Sequence, residues 1–263
     1  MSPFQSAVLG AVQGLTEFLP ISSSAHLYVI PTLLGWPYAG LAFDVALHWG
    51  TLLALLMAYG NVWVALVRDA FSADRAVRST AWSTWFKLAA ASVPGAIAGL
   101  ALEDLASSLL RALPIQAMML VIFGFLLWAV DRLRPPGRDE DVPGWGTCMA
   151  MGLAQAVALV PGVSRSGITI TAGRAAGLSR VAAARFSFLL ATPITFGAGL
   201  LELRHLGNDT PASALAIGVV TSAIVGLLAI RLLIRYLGRS GFAVFFAYRT
   251  AFAALIAWRL IAR

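Results

Sequence analysis

The stretch VQGLTEFLPISSSAHL, residues 12–27, lies in an apolar run near the start of the sequence. It nevertheless carries Gln13, Thr16, Glu17, three consecutive serines and His26. Pro20 has no N–H to give a helix, and serine hydroxyls compete for backbone groups, so the helical ladder breaks at residues 20–24. Residues 3–34 therefore read as two half-helices, each too short to cross ~30 Å of hydrocarbon. A second segment, residues 146–177, is broken in the same way at Pro161-Gly162-Val163-Ser164.

Around these two segments the chain is strongly apolar. Of 263 residues 59% are hydrophobic and only 12% charged, against about 25% charged in a soluble domain. Six further segments are long enough to span, at 41–60, 82–102, 113–131, 186–203, 211–230 and 241–259. Residues 61–78, with their Arg and Asp content, read as an interfacial amphipathic helix. The first apolar run is not expected to be a cleaved signal, because it lacks a basic leader and a small-residue cleavage site and holds Glu17. One cysteine, Cys148, excludes a disulfide framework and a cysteine metal site. The net charge of +7 is read as arginine facing anionic lipid, not nucleic acid.

The positive charges orient the chain. If 41–60 runs from outside to inside, Arg68, Arg75, Arg78, Lys87, Arg132, Arg134, Arg138, Arg174, Arg180, Arg185, Arg231, Arg235 and Arg239 fall on one side. Arg111, Arg204, Arg259 and Arg263 fall on the other. The richer side is cytoplasmic. The first broken segment must then enter and leave from outside, and the second from inside. Their sequences agree: GAVQGLTEFLPISSS from Gly10 and GLAQAVALVPGVSRS from Gly152 share Gly, Gln, Pro and two Ser, with nine positions from Gln to Ser in both. LAFDVALHWGT lies over AARFSFLLATP downstream. The expected fold is an all-α polytopic membrane protein with six spanning helices and two re-entrant helix pairs in an inverted-topology repeat. It forms one membrane domain with halves at about 1–131 and 146–263.

Glu17, Asp44, Arg165 and Arg249 are charges inside apolar segments. Each costs about 2.5–3.5 kcal/mol at the bilayer centre even on the lenient insertion scale. Two of each sign can compensate one another, with Arg249 neutralising an acid and Asp44 paired with His48. Irregular backbone at membrane depth is tolerated only against protein or a wet cavity, so the two breaks should face each other across one. Ser22–Ser24 and Ser164–Ser166 each start a half-helix, and two helix N-termini aimed at one point make an anion site. Arg165 adds a planar fork for phosphate oxygens. The hydroxyls of Ser22, Ser23, Ser24, Ser164, Ser166 and Thr169 add donors. Glu17 ends its half-helix, where the dipole disfavours an anion; with Gln13 one turn earlier it calls for a cation, which a divalent metal shared with a phosphate would supply.

These residues resemble those of the undecaprenyl-diphosphate phosphatase family, the bacterial bacitracin-resistance membrane proteins. Two motifs carry the resemblance: [E/Q]xxxE, here Gln13-Gly-Leu-Thr-Glu17 followed by FLPISSSAH, and PGxSRSxxT, here Pro161 to Thr169. FSFLLATP at 186–193 is also similar. The likeness implies hydrolysis of a C55 isoprenoid diphosphate to its monophosphate, recycling the cell-wall lipid carrier and conferring bacitracin resistance. It implies a multi-pass protein of the bacterial inner membrane with its site open to the outer side. It also implies a divalent cation, magnesium or calcium, held by Glu17 and Gln13. Glu17, Ser23, His26 and Arg165 would be the catalytic set, with Ser164 and Thr169 assisting. Ser23 or a water would attack the terminal phosphorus, and His26, three residues beyond Ser23, would act as acid or base. The partners are the lipid substrate and membrane lipids, and a homodimer is left open. An isoprenoid-lipid flippase would share the inverted repeat but would not need a Ser/His pair beside an arginine.

Overall fold

The computed structural model describes all residues except 108, 203–210 and 263; of residues 41, 42, 103–107, 109 and 202 it describes only the backbone. Arg204 and Arg263, assigned above to the outer side, lie outside the described residues. Among these residues the chain is helical, with no strand beyond a single bridge between Arg138 and Leu178.

Two pairs of short helices form where the sequence breaks: α1 (Pro3–Phe18) with α2 (Ser23–Leu33), and α6 (Trp145–Val157) with α7 (Arg165–Ala175). A capping box between Ser2 and Gln5, with proline in the first turn, starts α1. The longest of the four has 16 residues, which at 1.5 Å per residue reaches about 24 Å, short of the hydrocarbon thickness. The long helices are α3 (Leu41–Ala70), α4 (Arg75–Ser107), α5 (Leu113–Leu133), α8 (Arg180–Glu202), α9 (Ala212–Leu237) and α10 (Ala243–Ile261). All six are long and apolar enough to span. Three of them lie between the two short pairs. An odd number of crossings puts the entry points of the pairs on opposite faces, so the repeat is inverted.

One expectation is corrected. Residues 61–78 form no separate interfacial helix. At Tyr59 (φ −116°, ψ 17°) the helical backbone is interrupted, and the second stretch of α3 runs on to Ala70, ending before residue 78. Asp74 then accepts from the Ala76 N–H at 2.7 Å and starts α4. The indole N–H groups of Trp82 and Trp85 donate to the carbonyls of Ala70 and Leu66. The charged residues belong to a helical hairpin tied together at its turn.

Packing follows the repeat. Helix α1 lies on α9 and α6 lies on α4. Gly10 faces the Gly218 backbone, and Gly152 faces the Ala91 backbone. A side chain at either glycine would hold the helices apart, as expected where small residues set the approach of membrane helices. Arg174, counted above with a cytoplasmic loop, is buried at the end of α7. It donates to Asp131 at 2.9 Å, and Arg180 donates to the same carboxylate at 2.8 Å. This triad joins α5, α7 and α8.

Candidate active site

The two breaks have the same backbone geometry. Ser22, before α2, has φ +75°, and Ser164, before α7, has φ +74°. These are the only non-glycine residues with positive φ among those described, a conformation of order 1–3 kcal/mol that must be held from outside. Each break is held by the other and by α10. Ser22 Oγ accepts from the Gly162 N–H at 3.1 Å, and the Ser166 hydroxyl donates to the Leu19 carbonyl at 3.2 Å. Arg249 is fully buried and, among the described residues, pairs with no acid, contrary to expectation. Its guanidinium donates to the carbonyls of Pro20, Gly162 and Val163 at the breaks and of Met119 and Leu120 on α5. Its charge meets carbonyl dipoles that the broken helices leave unpaired.

A cavity opens between the breaks. Glu17, Ser22, Ser23, Ser24 and His48 line it from the first half, and Ser164, Arg165, Gln155 and Thr195 from the second. Glu17 is 7% exposed and stands at the centre. Its Oε1 accepts from Arg165 Nη2 at 2.5 Å. Its Oε2 accepts from the Ser23 hydroxyl at 2.5 Å and from Gln13 Nε2 at 3.2 Å, and His48 Nε2 lies 3.5 Å away.

Glu17 and Arg165, one from each half, compensate each other's charge directly. The structure joins them without spending the fork, because a guanidinium has five N–H donors and one is used here. Gln13 has no exposed surface and is not among the residues lining the cavity. Its Nε2 donates to Glu17 from behind, and its Oε1 has no hydrogen-bond partner.

His26 is also displaced from its expected place. Three residues turn an α-helix by about 300°, and the imidazole points behind the break. Its Nδ1 lies 2.7 Å from the Ser22 carbonyl and its Nε2 2.7 Å from the Tyr248 hydroxyl. The ring stacks on Phe252 at 4.1 Å. Ser166 and Thr169 are buried and do not face the cavity. Thr169 contacts the Ser187 hydroxyl at 2.6 Å. Of the six hydroxyls, Ser22, Ser23, Ser24 and Ser164 reach the cavity.

Asp44 does not pair with the His48 ring. His48 Nδ1 lies 2.7 Å from the Asp44 backbone carbonyl. The Asp44 carboxylate instead accepts from Tyr38 at 2.6 Å and lies 3.9 Å from Arg111. With Nδ1 engaged by the Asp44 carbonyl, His48 turns its Nε2 edge toward Glu17 Oε2 and the site. Sequence reasoning missed His48 and Gln155 as lining residues. The shared Gln-to-Ser spacing was the available signal for Gln155; a lone histidine on α3 gave none for His48.

The family described as bacitracin resistance protein BacA matches residues 6–255. The chain belongs to the BacA family. Among curated proteins, the undecaprenyl-diphosphatase of Pelotomaculum thermopropionicum is 46% identical over 249 residues, covering 95% of this chain and 93% of the relative. That of Gemmatimonas aurantiaca is 43% identical over 266 residues, covering both chains fully. A third, from Moorella thermoacetica, is 44% identical over 256 residues and 97% of each chain. As a BacA-family member the chain places both motif carboxylate Glu17 and motif arginine Arg165 in one cavity at the meeting of two broken helices.

Proposed function

We infer that this membrane protein is an undecaprenyl-diphosphate phosphatase that releases inorganic phosphate from the lipid diphosphate and regenerates the cell-wall carrier monophosphate. The observation that carries the reading is the Ser23–Glu17–Arg165 network at a cavity between two helix N-termini. Full-length similarity to enzymes of that name supplies the substrate.

Phosphoryl transfer needs alignment and charge neutralisation more than covalent chemistry. Arg165, anchored at one nitrogen by Glu17, offers its remaining N–H groups to the phosphate. The N-termini of α2 and α7 add partial positive charge. Ser23 is our candidate nucleophile, since its proton already points at Glu17 Oε2. Attack on the terminal phosphorus breaks its bond to the bridging oxygen, which leaves with the lipid monophosphate, and water then hydrolyses the phosphoserine to inorganic phosphate and free Ser23. His26 acts as a positioning residue, because it grips the carbonyl of the strained Ser22 directly before Ser23. The residues also fit a hard divalent cation. Among the described residues no three His, Cys, Asp or Glu side chains cluster, but magnesium commonly takes one or two carboxylates with substrate phosphates. Glu17 with Ser23 would hold it, Gln13 supporting from behind, and the metal would neutralise charge on the diphosphate.

The test is phosphate release from C55 diphosphate by the purified protein, with and without chelator. Chelator-sensitive release is expected; translocation of the lipid without release would identify a flippase instead. For orientation we propose a bacterial inner-membrane protein with the α1–α2 entry outside. A cysteine at the exposed Pro37 should react with an impermeant thiol reagent added outside, and one at the exposed Ala73 should not. The reverse pattern overturns the orientation. A homodimer is compatible with this reading, and crosslinking in membranes measures it.

A further inference from the structure

Gln155 on α6 is 4% exposed and lines the cavity, yet neither its amide nitrogen nor its amide oxygen has a hydrogen-bond partner. An unpaired buried amide is costly, and native structures carry few of them. The repeat explains how it arises. Gln13 and Gln155 stand nine positions before Ser22 and Ser164. Gln13 donates to Glu17 one turn later; the residue one turn after Gln155 is Leu159, which offers no acceptor. The amide that holds a carboxylate in the first half has nothing to hold in the second. Room is also kept for it: a Cβ on the cavity-lining Gly95 would stand 3.1 Å from Gln155 Nε2. Apart from Gln155, the residues that α4, α6 and the turn after α6 bring to the cavity are Gly95, Ala158 and Leu159, so this wall presents one polar side chain.

We propose that Gln155 is a phosphate-binding residue whose Nε2–H donates to an oxygen of the lipid diphosphate from the α6 wall of the cavity. The proposal rests on the diphosphate reading above. An anion accepts only, so the amide turns its nitrogen toward it. The α6 wall thereby adds a neutral donor to the cationic one supplied by Arg165.

Gln155→Met keeps the length of the side chain and removes both polar atoms; Gln155→Glu keeps the shape and replaces the donor with an anion. Binding of inorganic pyrophosphate to the purified full-length protein is measured by calorimetry, beside kcat/KM for C55 diphosphate. Gln155→Met is expected to weaken pyrophosphate binding by about 10- to 100-fold, the usual worth of a hydrogen bond to a charged group. The same factor is expected in kcat/KM, with a larger loss in Gln155→Glu and no fall in the melting temperature of Gln155→Met. Unchanged pyrophosphate affinity in Gln155→Met overturns the proposal, with or without a loss of turnover, because the amide would then be satisfied by water alone. Should Gln155→Met not fold, Gln155→Glu decides on the same two readings. Pyrophosphate binding does not depend on turnover. A wild-type protein that binds pyrophosphate through Gln155 but releases no phosphate would defeat the phosphatase reading and leave this one standing.

Discussion

The two breaks are one backbone device used twice with different side chains. Ser22 and Ser164 share the same unusual φ, and each is followed two residues later by a serine within 3.2 Å of its own hydroxyl. Between them stand Ser23 in the first break and Arg165 in the second. One turn back, Glu17 in the first half corresponds to Leu159 in the second; four residues on, His26 corresponds to Ile168. The first half therefore holds the hydroxyl and the carboxylate, and the second holds the cation. Symmetry supplies the place, with two helix N-termini opening on one cavity. On the proposed reading asymmetry supplies the reaction, because a nucleophile and a phosphate clamp must be different groups facing each other.

Exchanging the two central residues is the hardest test of that contrast. A double variant Ser23→Arg, Arg165→Ser restores the same pair of side chains on exchanged frames. It should lose turnover as fully as Arg165→Ala, about 10³-fold or more as for other phosphoryl-clamping arginines, because Glu17 then lacks its cross-break partner. Arg165→Lys should fall nearly as far, since a point charge does not reproduce a fork. Appreciable phosphate release by the exchanged protein would mean the halves are chemically equivalent.

Glu17→Gln comes next. It removes the acceptor of the Ser23 proton and the anchor of Arg165, and about a 10²-fold loss in kcat is expected, together with the dependence of substrate affinity on added magnesium or calcium. Adding Leu159→Glu should not restore activity, as that carboxylate would face Arg165 from the half that has no hydroxyl nucleophile. Retention of wild-type metal dependence in Glu17→Gln would remove the cation from the site.

His26→Gln should cost about tenfold or more in kcat by loosening the Ser22 backbone, while the shape of the pH–rate profile stays as in the wild type. Loss of one limb of the profile would instead make the imidazole an acid or base in the reaction. The smallest effect is expected for Gln13→Glu. A carboxylate 3.2 Å from Glu17 Oε2 must share a proton or a cation with it, so the metal concentration for half-maximal activity should fall while kcat changes less than about threefold. An unchanged metal titration would leave Gln13 as a pure support.

Much of this frame was readable from the sequence because its determinants are local. Pro20 and Pro161 with their serines mark the breaks, and the run lengths mark the six spans. The three spans between the two broken segments make the pairs opposed. What could not be read depends on direction. Whether a side chain three residues past the nucleophile faces the cavity depends on where α2 begins and which side Phe252 and Tyr248 occupy, and so His26 was placed wrongly. Arg249 was expected to meet a carboxylate, but sequence lists charged partners and not the carbonyls that an interrupted helix leaves free. His48 was legible only as a residue one turn from Asp44; its approach to Glu17 is a contact between α1 and α3. The hairpin at residues 61–78 was misread because charge at a turn and charge along an interfacial helix look alike until the chain is seen to turn between Ala70 and Arg75 and to be tied there by Trp82 and Trp85.

Arg249 sets a timetable. It lies on α10, translated after both breaks, yet its nitrogens hold the carbonyl of Pro20 in the first break and those of Gly162 and Val163 in the second. During translation both re-entrant loops are made and threaded long before this guanidinium exists. Until α10 arrives, the carbonyls it will bind must be served by water or by passing lipid head groups. The cavity between the breaks is thus held in shape only once α10 has been made, and a chain that stalls before Ala243 lacks the guanidinium that ties the two breaks together.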